Sequence, residues 1–423
     1  MTPQHTGAAL TSLALALALP LAGLGADPSP SATRPPLVAC PIVKVAPQPP
    51  AKPSPVPQHD FSQPTVGGEG IGTAGLAIPE GAPALPGNLS AKSWVVADLD
   101  TGEVLGACAP HQAFAPASLI KLLLAETLLP QLNPNQVITI NQDDLNFEPG
   151  SSAVGLLLGG KYTVRTLWLG LLMNSGNDAA NTLARVGGGT SGVRGTVAAM
   201  NAEARRIGAY DTHAETPHGL DGPGQVTSAY DLALISRALF NRPDFSQYIA
   251  TDRVQIPPQP PQDKRGFQIQ NENLLLREYP GALGGKTGFT DIARHNFVGA
   301  AQRNGRRLVV ALLGAEHRPV RTWQQAAALL NWGFGVPSDT SVGRLVQPGE
   351  AEQLLVKESE QARPTPAPAP AAAAGPRRVL ASRSAVTVGI LVFAGLFTTA
   401  WLAVALLSLR RRALRRRAAS AVE

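Results

Sequence analysis

Residues 385–409 form an unbroken apolar run of 25 residues with no charged side chain. A helix needs about 20 residues to cross the hydrocarbon core of a bilayer, so the run is long enough to span it with some tilt. Arg410, Arg411, Arg412, Arg415, Arg416 and Arg417 follow at once. Basic residues beside a span stay on the cytoplasmic side. The sequence therefore predicts a single transmembrane helix at 385–409 and a basic cytoplasmic tail at 410–423. The part of the chain ahead of the span would then lie outside the cytoplasm, held at the cell membrane. A buried core helix is the rival reading. The length of the run and the lack of folded sequence after it speak against that.

At the other end, an apolar stretch from about residue 8 to 24 is followed by Gly25 and Ala26. This has the form of a secretory signal peptide over 1–26. No Lys or Arg precedes it, which leaves an uncleaved anchor as the second reading. The formal net charge of +6 is mostly local: six Arg and Glu423 give 6 − 1 = +5 in the last 14 residues. The basic charge is a tail and not a folded patch, so no nucleic-acid partner is expected. Cys40 and Cys108 are the two cysteines of the chain. In an exported protein they are a plausible disulfide, with two free thiols as the alternative. The bond would tie the N-terminal segment to the chain just before residue 118.

Residues 27–87 are rich in Pro, Ala, Gly and Ser and predict a mostly irregular leader. Residues 346–384 are again low in complexity and predict a semi-rigid stalk. Between them, 88–345 reads as one folded domain. Strands are expected at 93–99 and 103–107 around the Asp100-Thr101-Gly102 turn, and at 296–302 and 307–313 around Asn304-Gly305. Helices are expected at 118–129, 164–173, 178–186, 192–206, 228–240 and about 322–332, with Asp178 as an N-cap. Strands, then helices, then strands suggest an α+β domain with an antiparallel sheet and a helical cluster.

Three short motifs carry chemistry. Ser118 and Lys121 are three residues apart, hence on one helical face. The helix around them is apolar nearly all round, which should bury Lys121. Burial disfavours the charged amine, and a neutral amine beside a hydroxyl can serve as its base. Ser118 as a plain N-cap is the bland alternative. Ser175-Gly176-Asn177 falls where two helical patterns break. It is a helix–helix turn, or a rigid loop that presents a hydroxyl and an amide. Lys286-Thr287-Gly288 follows Gly284-Gly285. A phosphate loop would need a Gly at position 280, which is Pro. Gly150-Ser151-Ser152-Ala153 does not complete a nucleophile elbow. No His-Glu-x-x-His occurs, and the seven His show no metal-ligand spacing, so neither metal nor cofactor is expected. His218 and His295 read as structural or substrate-adjacent.

In this order, Ser-x-x-Lys, a Ser-x-Asn triplet and Lys-Thr-Gly are the set shared by β-lactamases and penicillin-binding proteins. The segment around Ser118 and Lys121, Ser175-Gly176-Asn177-Asp178-Ala179, Pro217-His218-Gly219-Leu220-Asp221 and Gly285-Lys286-Thr287-Gly288-Phe289-Thr290-Asp291 together resemble the D-alanyl-D-alanine carboxypeptidases of peptidase family S11, above all their actinobacterial members. The resemblance implies a β-lactamase/DD-peptidase-like fold and a serine carboxypeptidase acting on peptidoglycan stem peptides. Penicillin and other β-lactams would be covalent inhibitors. It implies Ser118 as nucleophile, Lys121 as its base and Ser175 as proton donor to the leaving D-Ala. Asn177, Lys286, Thr287, Gly288 and Phe289 would bind substrate, with an oxyanion hole from the backbone of Ser118 and Phe289. Arg321 would bind the terminal carboxylate. Arg294 stands where many relatives have Gly; it would alter the rim of the site or point to solvent. A β-lactamase, a transpeptidase or DD-endopeptidase, and a non-catalytic β-lactam sensor remain alternatives on the same motifs.

Overall fold

A computed structural model describes residues 37–47, 49 and 65–353. The expected signal peptide, transmembrane helix and basic tail lie outside the described residues. No helix among the described residues is long and apolar enough to cross a membrane. In chain order the elements are β1 (Leu76–Ala77), β2 (Ser93–Asp98), β3 (Glu103–Cys108), α1 (Ile120–Leu128), β4 (Val137–Thr139), β5 (Lys161–Thr163), α2 (Val164–Asn174), α3 (Asn177–Gly187), α4 (Gly192–Ile207), α5 (Ala229–Phe240), α6 (Pro243–Ile249), β6 (Arg253–Ile256), β7 (Phe267–Gln270), α7 (Leu274–Glu278), β8 (Ala282–Thr290), β9 (Arg294–Arg303), β10 (Arg306–Ala315), α8 (Thr322–Gly335) and β11 (Gly343–Arg344). The expected strands and helices are therefore present, and β8 adds a strand over the Lys-Thr-Gly motif.

The central sheet is antiparallel, in the order β1-β3-β2-β10-β9-β8, with β11 also on β3. Its faces are read directly from residue alternation. Val95, Ala97, Val298, Ala300, Val309 and Ala311 join α1, α3 and α5 in one core. Trp94, Val96, Phe297, Val310 and Leu312 join α8 in the other. Helices thus cover both faces, which is why β2 is buried at every position. Trp94 meets Trp332 of α8 edge-to-face, with ring centroids 6.0 Å apart. The expected turn at Asn304-Gly305 closes β9 onto β10, and both residues have positive φ, 50° and 81°. Helix α1 is the centre of the helical layer: eight of its nine residues are buried, Lys121 among them. That explains its apolar sequence on every side.

Two readings change. The packed region extends beyond 88–345 at both ends, with part of the leader packed on the domain and the expected disulfide in place. Ile71 is fully buried, β1 pairs with β3, and a 3-10 turn at Glu69–Ile71 precedes it. Farther upstream, Leu76 donates to the carbonyl of Val38 and Val43 to that of Leu89. Cys40 is bonded to Cys108. At the far end Val346 and Ala351 are buried too, so the fold runs past residue 345.

Asp178 is not an N-cap either. Gly176 holds that place, and Asp178 lies in the first turn of α3. Its carboxylate accepts from the backbone N–H groups of Val154, Gly155, Leu156 and Ala179. A local spacing rule assigns the carboxylate to its own helix end. The fold instead offers a loop with unpaired donors, and a charged acceptor there satisfies several at once.

Two outcomes are expected. Cys40→Ser releases a closure spanning 68 residues, and loop entropy puts its cost at about 2–4 kcal/mol. The urea midpoint of the variant should fall to that of the reduced wild type; an unchanged midpoint would show that the strap contributes nothing. Asp178→Asn leaves a single carbonyl acceptor for four N–H groups and should cost about 1–3 kcal/mol in thermal unfolding.

Candidate active site

A 3-10 turn at Ala117–Leu119 places Ser118 just ahead of α1. Ala117 has φ 48°, a left-handed conformation rare for a residue with a Cβ. The kink is held from outside. Asn296 of β9 donates to the carbonyls of Ala115 and Pro116, at 2.9 and 3.2 Å, and accepts from Gly314. Two glycines allow close approach to this turn. A Cβ on Gly219 (φ 90°) would lie 2.0 Å from the Ala117 carbonyl oxygen. One on Gly288 would lie 3.2 Å from the Ser118 nitrogen.

Lys121 is fully buried. Its Nζ is 2.9 Å from Ser118 Oγ, 2.8 Å from Asn177 Oδ1 and 2.5 Å from the His218 carbonyl oxygen. Burial pushes its pKa well below the ordinary lysine value, and the positive charge of Lys286 lowers it further. A neutral amine has two N–H donors and one lone pair. It can donate to Asn177 and His218 and turn the lone pair to the Ser118 hydroxyl.

Ser175 sits in the turn between α2 and α3 with left-handed φ 58°. It is therefore the left-handed C-cap of α2 and the presenter of a hydroxyl at once. Lys286 Nζ donates to Ser175 Oγ at 2.9 Å and to the Thr287 carbonyl at 2.8 Å. Burial lowers the Lys286 pKa to about 8, opposed by the negative charge of Glu272. The two lysines are thus pushed apart: at neutral pH Lys286 keeps its proton while Lys121 is the one disposed to lose it. Asn177 Nδ2 donates to Ser151 Oγ at 2.9 Å, which fixes the amide orientation.

These groups open into one cleft of about 500 Å³. Strand β8 is the last of the sheet, and its residues Thr287, Gly288, Phe289 and Thr290 line the cleft. The far wall is Ser151, Ser152 and Asn177, with Leu220 at one side. The sequence motifs 118–121, 175–177, 217–221 and 285–291 therefore meet in space. Thr290 ties two of them by donating to Asp221 at 2.8 Å.

Arg321 does not join them. It is an exposed N-terminal residue of α8, and its neighbours His317 and Thr322 line the cleft instead. Its charge is felt at His317, where it adds to burial in lowering the imidazole pKa. Arg294 neither points to solvent nor forms the rim. It is buried and paired with Glu316 at 2.9 Å, and lies 5.5 Å from the centre of the Phe289 ring. His295 stacks between Phe289 and His317, with centroids 4.4 and 3.5 Å apart. Burial and the neighbouring His317 lower the His295 pKa to about 4, so that the ring is neutral. His218 is likewise neutral, its pKa lowered to about 4 by burial and then by Lys121. Ser151, Glu272, His317 and Thr322 were not singled out as site residues. None of them belongs to one of the three chemical motifs, and only the fold brings them to the cleft. No cluster of His, Cys, Asp and Glu among the described residues could hold a metal ion.

Comparison with known proteins agrees with this geometry. The family described as D-alanyl-D-alanine carboxypeptidase matches residues 80–317. The D-alanyl-D-alanine carboxypeptidase DacB2 of Mycobacterium tuberculosis is 46% identical over 272 residues, covering 63% of this chain and 90% of the relative. DacD of Escherichia coli is 36% identical over 259 residues, and that match covers 59% of this chain and 64% of the relative. The crystal structure of a D-alanyl-D-alanine carboxypeptidase from Mycobacterium tuberculosis superposes with TM-score 0.59 at 44% identity, over 63% of this chain and 99% of that one. A Streptomyces DD-transpeptidase superposes with TM-score 0.57 at 27% identity, over 60% of this chain and 99% of that one. A penicillin-binding/DD-peptidase fold, a lysine-paired serine at the head of α1 and these likenesses lead to one conclusion: the chain belongs to the D-alanyl-D-alanine carboxypeptidase family, peptidase family S11.

Proposed function

We propose that this chain is a serine D-alanyl-D-alanine carboxypeptidase that removes the terminal D-Ala from peptidoglycan stem peptides through an ester on Ser118. The contact that carries the reading is Lys121 Nζ at 2.9 Å from Ser118 Oγ, in a buried setting that disfavours the charged amine. Ser118 Oγ attacks the carbonyl carbon of the D-Ala–D-Ala bond and its proton passes to Lys121. The oxyanion is held by the backbone N–H groups of Ser118 and Phe289, an interaction commonly worth several kcal/mol. Collapse breaks the C–N bond. Ser175, held by Lys286, gives its proton to the departing nitrogen and is reprotonated from Lys121, which is thereby neutral again. Water then attacks the ester, Lys121 accepts its proton, and as the ester C–O bond breaks Lys121 returns that proton to Ser118 Oγ.

The substrate backbone lies along the open edge of β8, as an added strand would. Asn177 takes the peptide amide on the acyl side. Thr287 and Gly288 meet the leaving D-Ala, whose carboxylate Thr287 binds, with Arg321 adding positive field from beyond His317. β-Lactams acylate Ser118 by the same attack. The protein works outside the cytoplasm, anchored by a helix at 385–409. The sequence at both ends supports this, as does a disulfide in the folded domain, since such bonds persist in oxidising compartments.

The full-length protein should release D-Ala from diacetyl-Lys-D-Ala-D-Ala, and Ser118→Ala should release none. Lys121→Arg keeps the charge but cannot give up its proton, and should lower kcat/KM by about 10³-fold. A long-lived penicillin adduct without D-Ala release would indicate a sensor, and rapid penicillin turnover a β-lactamase. The pH profile gives a second test. The form that works has Lys121 neutral and Lys286 charged, so kcat/KM should fall as pH rises through about 8, where Lys286 loses its proton. Lys286→Arg should move that alkaline limb to higher pH; a limb that stays in place would remove Lys286 as its origin.

A further inference from the structure

The segment Glu148-Pro149-Gly150-Ser151 belongs to none of the chemical motifs, yet it reaches the second of them. Pro at the second place and Gly at the third suit a tight turn whose third residue is left-handed, and Gly150 has φ 81°. The Ser151 N–H closes this turn on the Glu148 carbonyl at 3.2 Å. The Ser151 hydroxyl donates to the same carbonyl at 2.6 Å. The chain that follows is fastened to the start of α3. The Asn177 N–H donates to the Ser152 carbonyl at 2.9 Å, and the Asp178 carboxylate holds Val154, Gly155 and Leu156. Ser151 is thus fixed at the wall of the cleft.

A hydroxyl has a single proton. That of Ser151 goes to Glu148, so towards Asn177 its oxygen can only accept. It faces Asn177 Nδ2 at 2.9 Å. The other end of the amide, Oδ1, is 2.8 Å from Lys121 Nζ. Turned end for end, the amide would set its oxygen against the Ser151 oxygen with no hydrogen between them. The row therefore has one polarity: Lys121 gives to Asn177, Asn177 to Ser151 and Ser151 to Glu148. A neutral Lys121 has two N–H groups and a lone pair. One N–H goes to Asn177 and the other to the His218 carbonyl at 2.5 Å. The lone pair falls to the third neighbour, Ser118 Oγ at 2.9 Å. With the amide reversed, an Asn177 N–H would take that lone pair and Ser118 would lose its base.

We propose that Ser151 is a positioning residue for the reaction: by accepting from Asn177 while donating to Glu148, it fixes the direction of the hydrogen-bond row and so keeps the Lys121 lone pair on the nucleophile. This rests on the reading of Ser118 and Lys121 as nucleophile and base. Ser151 acts through two other side chains and does not meet the reacting atoms. Its effect belongs to the rate of acylation, because a lone pair turned away from Ser118 cannot take its proton.

The test measures acylation of the full-length protein by fluorescent penicillin and by 6-aminopenicillanic acid, the latter through the labelling it blocks. Loss of the acceptor should lower the acylation rate constant of Ser151→Ala about 10-fold, and that of Ser151→Gly alike. Ser151→Thr keeps the hydroxyl and should stay within about 3-fold of wild type. 6-Aminopenicillanic acid has no acylamino carbonyl for Asn177 to hold, so its acylation reports on the base and not on that contact. Equal slowing with both β-lactams is expected. Slowing confined to fluorescent penicillin would reduce Ser151 to a support for substrate binding and overturn the proposal. Unchanged acylation in Ser151→Ala, or a threonine variant as slow as the alanine one, would overturn it too. The alkaline limb at about pH 8 belongs to Lys286 and should stay in place. A limb displaced by Ser151→Ala would put the effect on Lys286 and sink the assignment to Lys121. Rate constants are per acylated site, so a partly unfolded variant does not mimic the effect. Acylation is read without turnover: a wild type that is acylated but releases no D-Ala from diacetyl-Lys-D-Ala-D-Ala removes the carboxypeptidase reading and leaves this test intact.

Discussion

A lysine with no exposed surface at the centre of a helical layer is the constraint around which the rest is arranged. An unpaired ammonium there would be prohibitively unfavourable. The fold answers with three oxygen partners from three separate segments: the turn ahead of α1, the first residue of α3, and the loop at His218. Each segment must then be where the others require it. The left-handed backbone at Ala117 and Ser175, and the glycine at 219, follow from packing three segments against one amine. The same burial that fixes the architecture lowers the basicity of the amine, so structure and reactivity have one cause.

A second lysine completes the electrostatics. Lys286 is just as enclosed, yet it keeps a pKa of about 8 because Glu272 lies near it. Its retained charge in turn favours the neutral form of Lys121. Two residues of one type take opposite roles through their neighbours alone. Around them the wall is stiffened by contacts away from the chemistry. Arg294 pairs with Glu316 below the Phe289 ring, and His295 and His317 stack as neutral imidazoles beside it. The position of β8, whose edge a substrate would follow, is thus set from both sides.

Much of this was legible in the sequence. The strands expected at 93–99 and 103–107 were marked by the Asp100-Thr101-Gly102 turn between them, and the helices by their apolar pattern. The burial of Lys121 could be read from the leucines around it. Other readings failed where a residue's partner is distant in sequence. Asp178 looks like a helix cap until the loop at Val154–Leu156 is folded beside it. Arg294 is polar beside a turn, and nothing local reveals that Glu316 will bury it. Arg321 is implied by the family resemblance alone, and at the N-cap of α8 it is exposed, while its neighbours His317 and Thr322 line the cleft. The leader lacks periodicity because it contributes only short pieces, each completed by another part of the chain.

The sequence by itself determined the kinds of element, the identity of the reacting groups and their order along the chain. Local propensities and short spacings encode these, because they depend on residues within a turn or two of one another. Tertiary structure alone decided which of the polar residues share the cleft, which lysine keeps its proton and where Glu272 stands. Those depend on burial and on charges brought together from positions scores of residues apart, and no local pattern carries that distance.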